Sequence, residues 1–220
     1  MTTKSRNIVL PLLGLTFVTG VIDAASVLDL GHVFVANMTG NVVFSGFALA
    51  NLGNVWLLAA VAALLAFLTG AVLGGRVARG STLPSKLGFG IELTSLMIAS
   101  GAAFMPVTVA RTYVLVACLA LAMGLRNALV RALAVPDMTT TVLTLTLTGL
   151  AADSPLAGGS NPRWGRRLGS VAAMLAGAYV GAILLSHSAR LVIAFATLVE
   201  LGAVLLLLQA ARDEASLLGQ

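Results

Sequence analysis

Charge is scarce in this chain, and aromatic residues and cysteine are scarcer still. Only 10% of the 220 residues are charged, against 59% hydrophobic, and the mean hydropathy is +1.02. A soluble domain of this length needs far more charge to cover its surface, so a water-soluble globule is excluded. The single cysteine, Cys118, lies within an apolar run. That rules out an intrachain disulfide or thiolate metal site and makes Cys118 a small core residue. There is no Gly-rich phosphate loop, Ser-His-Asp ordering or metal-ligand cluster, and His32 and His187 stand apart near loops. The expectation is a protein that is not an enzyme and needs no cofactor or metal.

What the chain has instead is long apolar runs. Eight are separated by charge clusters and Gly/Pro punctuation, at about 8–28, 33–52, 55–77, 83–105, 112–133, 138–151, 168–186 and 189–210. Several approach the roughly 20 residues that cross a ~30 Å hydrocarbon core, which makes this an all-α, multi-pass membrane protein. The net charge of +5 does not point to nucleic acid. Lys and Arg sit in short clusters between the runs, as orientation signals do, rather than along one basic face. The expected partner is the lipid bilayer. Residues 1–26 have the layout of a signal peptide, but they are read as an uncleaved first span.

The two halves of the chain resemble each other. Gly20-Val21-Ile22-Asp23 matches Gly124-Leu125-Arg126-Asn127, and Met38-Thr39 matches Met138-Thr139. Gly70-Ala71-Val72-Leu73-Gly74 matches Gly177-Ala178-Tyr179-Val180-Gly181, and Ile91-Glu92-Leu93 matches Val199-Glu200-Leu201. Four anchors in one order at similar spacing indicate a duplication, with repeats over 1–108 and 109–220 in a single membrane domain. The small-xxx-small pairs Gly70/Gly74 and Gly177/Gly181 suit close helix crossing, or alternatively a homo-oligomer interface.

Charge then sets the topology. If the second and sixth runs enter and return on one side, Lys4, Arg6, Arg76, Arg79, Lys86, Arg163, Arg166, Arg167 and Arg212 are all cytoplasmic. Only Arg111 and Arg190 then lie outside. The expectation is six transmembrane helices plus two re-entrant half-helix segments, with both termini cytoplasmic. Three spans per half is an odd number, which gives a 3+3 inverted repeat with its site near the midplane.

Two polar motifs interrupt the corresponding runs: Asn37-Met38-Thr39-Gly40-Asn41 and Asp137-Met138-Thr139-Thr140-Thr141. Matched interruptions of this kind are the best sequence pointer to a transporter's binding site. The candidate substrate-binding residues are Asn37, Thr39, Gly40, Asn41, Asp137, Thr139, Thr140 and Thr141. Half-helices starting here would aim free N–H groups at a solute, and Gly40 would allow close approach. The competing reading is that Asn37 and Thr39 only cap a helix, and that Thr144, Thr146 and Thr148 bond back to their own carbonyls.

Asp23 and Asn127 occupy matched positions, with the acid and amide exchanged relative to Asn37 and Asp137. Asp23, Asn127, Arg126 and Glu200 are the candidates for ion or proton coupling. Arg126 and Arg131 are expected to neutralise Asp23 and Asp137, and a structural ion pair is the alternative. Glu92 and Glu200 each sit within an apolar run, where burial favours the protonated acid. Proton coupling is the functional reading, and for Glu92 the expectation is a side chain near a span's end, snorkelling or bonding a neighbouring helix.

The stretch from Gly20 to Ala24 and on through Gly31-His32-Val33-Phe34-Val35-Ala36-Asn37-Met38-Thr39-Gly40-Asn41 resembles the YoaK family of bacterial inner-membrane proteins. Ala122-Met123-Gly124-Leu125-Arg126-Asn127 and Met138 through Thr144 resemble that family's second-half pattern. Where the family often has Gln before that Asn, this chain has Arg126. The resemblance implies a multi-pass protein of the bacterial plasma membrane and supplies no substrate. The expected function is a small-solute transporter with alternating access, leaning toward an anionic solute because of Arg126 and the helix N-termini. A passive channel and a non-transporting adaptor are the alternatives.

Overall fold

The computed structural model describes residues 4–52, 56–79, 84–161 and 163–218, apart from the side chains of 4–7 and 214–218. The described residues form α-helices and one short 3-10 turn over Pro155–Ala157. In order the helices are α1 (Lys4–Asp29), α2 (Met38–Leu49), α3 (Leu57–Val77), α4 (Lys86–Ala102), α5 (Val109–Leu133), α6 (Thr144–Ala152), α7 (Trp164–His187) and α8 (Ala189–Leu218). The starts expected near 55 and 83 fall outside the described residues.

Local chemistry explains several ends. Ser85 Oγ accepts from the Gly88 N–H and Thr108 Oγ1 from the Arg111 N–H, so hydroxyls cap α4 and α5. Helix α5 stops at Ala134, which takes a left-handed conformation (φ 51°) before Pro136. The sixth run departs from expectation. It becomes helical only at Thr144, because Asp137 and Thr140 also take positive φ and the Thr139 hydroxyl bonds to Val142 O. A Thr-rich stretch with local side-chain bonds competes with the helix ladder.

Among the described residues, five helices are long and apolar enough to cross a membrane: α1, α3, α5, α7 and α8. At 1.5 Å per residue α2 reaches only about 18 Å, α6 about 14 Å and α4 about 25 Å. Large apolar side chains point outward along the long helices, among them Leu58, Leu65, Leu68, Leu175, Leu198 and Leu205. In water this surface would be untenable; in lipid it is the expected exterior.

Close contacts fix the relative direction of the helices. Gly70 packs on Leu121, and Gly74 on Leu125 and Ala128, so α3 and α5 run parallel. Gly177 packs on Phe17, and Gly181 on Val21 and Ala24, so α7 and α1 also run parallel. Helix α4 opposes α5, with Gly88 against Leu129 and Ser95 Oγ donating to Cys118 O at 2.8 Å. Helix α8 opposes α1 through Gly14–Ala203 and the Phe17–Phe195 ring pair. Helices α4 and α8 meet head to tail, where the Ser100 and Thr197 hydroxyls are 2.8 Å apart. Each half therefore packs mainly on the other: α3 lies on α5, and α1 on α7 and α8. The short helices rest on the next long one in sequence, α2 on α3 and α6 on α7.

Candidate functional site

A cavity of ≈ 320 Å³ brings the two polar motifs together. Asp23 and Asn37 from the first half line it with Thr141 and Thr144 from the second, and the backbone crossing at Gly20 forms part of its wall. The irregular segment after α1 is folded so that Asp23 Oδ1 accepts from the N–H groups of Val35 (3.4 Å) and Ala36 (3.2 Å). Asn37 stands at the N-cap position of α2, yet its side chain makes no capping bond. It is thus free to face the cavity. Thr144 opens α6, so both short helices begin at this space.

The other residues of the first motif serve its own shape. Asn41 is fully buried and clamps Phe34 twice, with Oδ1 accepting from Phe34 N at 2.8 Å and Nδ2 donating to Phe34 O at 2.6 Å. Gly40 lies beneath the Phe34 ring, where an added Cβ would come within 2.6 Å of a ring carbon. The close approach expected of this glycine is made by Phe34. Thr39 is exposed and does not line the cavity.

In the second motif the Asp137 carboxylate pairs with Arg163 Nε at 2.5 Å and Arg167 Nε at 3.1 Å. Arg167 also reaches Asp153 at 2.7 Å, Gly149 O at 2.6 Å and Asn161 Oδ1 at 3.0 Å. Asp137 thereby ties the loop before α6 to the start of α7. The basic cluster at 163–167, read in sequence only as an orientation signal, supplies its partners. Thr140 is buried with its hydroxyl unpartnered, and Thr148 bonds back to Thr144 O.

Thr141 links the cavity to a second space. Its hydroxyl donates to Asn127 Oδ1 at 2.7 Å, and Asn127 lines a wider pocket of ≈ 910 Å³ with Thr139, Arg79 and Arg131. Val142 lines both spaces. The pocket's walls repeat those of the cavity at matched positions: Phe67, Ala71 and Asn127 stand where the cavity has Met174, Ala178 and Asp23.

The expected neutralisation of Asp23 by Arg126, and of Asp137 by Arg131, is not what the side chains do. Arg126 is fully buried and donates to Glu92 Oε1 and Glu200 Oε2, each at 2.5 Å. Its Nη1 donates to Leu15 O and Thr19 Oγ1, each at 3.0 Å. Two carboxylates within reach of one guanidinium on α4, α5 and α8 outcompete the acid on α1, which backbone N–H groups already hold. Arg131 is exposed at the end of α5, in the wider pocket. Glu92 was read as a side chain near a span's end, yet it is completely buried. The clue was its match to Glu200, which placed one acid in each half beside a single buried arginine.

Comparison with known proteins agrees with this picture of an apolar bundle. Over 157 residues the chain is 32% identical to the "UPF0700 transmembrane protein YoaK" of Bacillus subtilis (strain 168), covering 67% of each chain. No solved structure matches it. Residues 12–207 match the family described as "Protein of unknown function (DUF1275)", a stretch that takes in every residue of the cavity and of the arginine cluster. This chain is a multi-pass membrane protein and belongs to the DUF1275 family.

Proposed function

We propose that this protein is a small-solute transporter of the bacterial plasma membrane, with its binding site in the cavity between the two polar motifs. One observation carries the reading: Asp23 and Asn37 share a single space with Thr141 and Thr144, more than a hundred residues away in the chain. Polar side chains and interrupted helices are costly in lipid unless they line a cavity or a protein interior.

The helix directions support six spans, two re-entrant segments and an inverted repeat. With α1 running outward, α7 and α4 also run outward, while α3, α5 and α8 return. Helices α1 and α3 are then opposed, so the α2 segment begins and ends on one face. The same holds for α6 between α5 and α7, on the other face. Both termini fall on the cytoplasmic side by the charge pattern. Reporter fusions after Leu52 and after Asp153 test this: the first is expected outside and the second cytoplasmic.

The cavity's chemistry suits a solute with both an anionic end and a hydrogen-bond donor. Two helix N-termini offer N–H groups, and Asp23 accepts. Arg126 is sealed away from the cavity, so a preference for anions rests on those N-termini and, in the adjoining pocket, on Arg79 and Arg131. Rocking of one half against the other would expose the site alternately. The Thr141–Asn127 bond between the two spaces favours a second reading, a passive channel.

Uptake of small carboxylate-bearing solutes into reconstituted vesicles decides between them. A transporter saturates and accumulates its solute when a proton gradient is imposed, whereas a channel only equilibrates it. Asn37→Ala is expected to abolish uptake with assembly intact. Asp23→Asn is expected to keep exchange and lose accumulation; full gradient-driven uptake would remove Asp23 from coupling.

A further inference from the structure

The cluster of Arg126, Glu92 and Glu200 lies outside the cavity, and its charges do not balance. Two carboxylates face one guanidinium, which leaves one excess negative charge in a fully buried place. Each carboxylate gives only one oxygen to Arg126. The remaining oxygens, Glu92 Oε2 and Glu200 Oε1, are buried with no hydrogen-bond partner. An unpartnered carboxylate oxygen costs far more in a low-dielectric interior than in water.

Among the described residues, no hydrogen-bond partner reaches these two oxygens. Helix α1 contributes Leu15 O and the Thr19 hydroxyl, both already turned to Arg126, and farther along it Asp23, which is itself acidic. The other charged residues of α4 and α8 (Lys86, Arg190, Arg212, Asp213 and Glu214) lie toward the helix ends. The two glutamates come from matched positions in the two halves, on helices that meet each other directly.

We propose that the Glu92–Glu200 pair is a proton-binding site that holds one proton in the folded protein, shared between its two orphan oxygens. One carboxylate takes up a proton from water and becomes a carboxylic acid; the other stays ionised. Arg126, one carboxylate and one carboxylic acid then make a neutral cluster with every oxygen partnered. Because the proton sits between α4 and α8, one from each half, rocking of the halves would expose and release it. That use in coupling rests on the transport reading above, while the proton site does not.

Infrared spectroscopy of the purified full-length protein in lipid nanodiscs tests the site with no solute present. The expected result is a carboxylic-acid carbonyl band at neutral pH that shifts slowly in heavy water. Carboxyl-¹³C glutamate should move this band and carboxyl-¹³C aspartate should not. Glutamate occurs at three positions, so the label is nearly specific and does not depend on any variant folding. Glu92→Gln and Glu200→Gln should each abolish the band, since either leaves one carboxylate to balance Arg126, while Asp23→Asn should retain it. Absence of a glutamate band in sodium-free buffer would overturn the proposal, as would its survival in both Gln variants. A band that appears only when sodium is replaced by choline would also overturn it, showing that a sodium ion is the resident cation.

Discussion

The residues before Asp23 and Asn127 show how the two halves differ. At that matched place α1 carries Ile22 and α5 carries Arg126, and both are buried. The helix crossings around them are the same: Gly20 on α1 meets Met174 and Ala178 of α7, while Gly124 on α5 meets Phe67 of α3. The glycine crossings are therefore alike in the two halves, while the polar side chains beside them differ. One half holds an acid in a small cavity, while the other holds an amide in a wide pocket beside a buried cation. Packing constrains the small residues on both sides equally. Charge is asymmetric because one buried arginine already engages an acid from each half.

The most severe way to break that comparison is Arg126→Ile, which makes α5 copy α1. It strands Glu92 and Glu200 together without a cation, and removing one partner of a buried ion cluster costs about 3–5 kcal/mol. Little folded protein is expected by size-exclusion chromatography in mild detergent. Wild-type recovery would show that the cluster does not hold the bundle.

Next in size are Gly70→Ala and Gly177→Ala, where the new methyl group meets a carbonyl of the crossing helix. Overpacking against backbone costs about 1–3 kcal/mol. Thermal unfolding should show losses of similar size in the two variants. A large loss in one and none in the other would deny that the crossings are equivalent.

Asp137→Asn removes the contacts that tie the second motif to α7. Arg163 is 41% exposed, and Arg167 keeps Asp153, so a loss of about 1–2 kcal/mol is expected. The smallest effect is that of Asn37→Ala, at most about 0.5 kcal/mol, because no capping bond exists to be lost. A loss of ~1–2 kcal/mol in a thermal melt would return Asn37 to the role of a helix cap.

The membrane class, the long apolar helices and the glycines of the close crossings were legible in the sequence because each is a local property. Apolar length, Gly spacing and Lys/Arg clustering need no partner to be read. Asp23 and Asn37 line one cavity because the segment between α1 and α2 folds back, with the Val35 and Ala36 N–H groups on Asp23.

Which acid goes with which base was not legible. Arg126 lies nearer in sequence to Asp137 than to Glu92 or Glu200, yet it is bound by those two, on helices 34 and 74 residues away. Asp137 is held by Arg163 and Arg167, beyond helix α6 in the chain. Asn41 and Gly40, which looked like binding residues, are used by Phe34. A side chain's type and spacing determine what it is able to bond, whereas its partner depends on which helices the close crossings bring together. In this chain those crossings interleave the two halves, so Arg126 on α5 meets Glu92 of α4 and Glu200 of α8 at one point, a proximity that one-dimensional order does not encode.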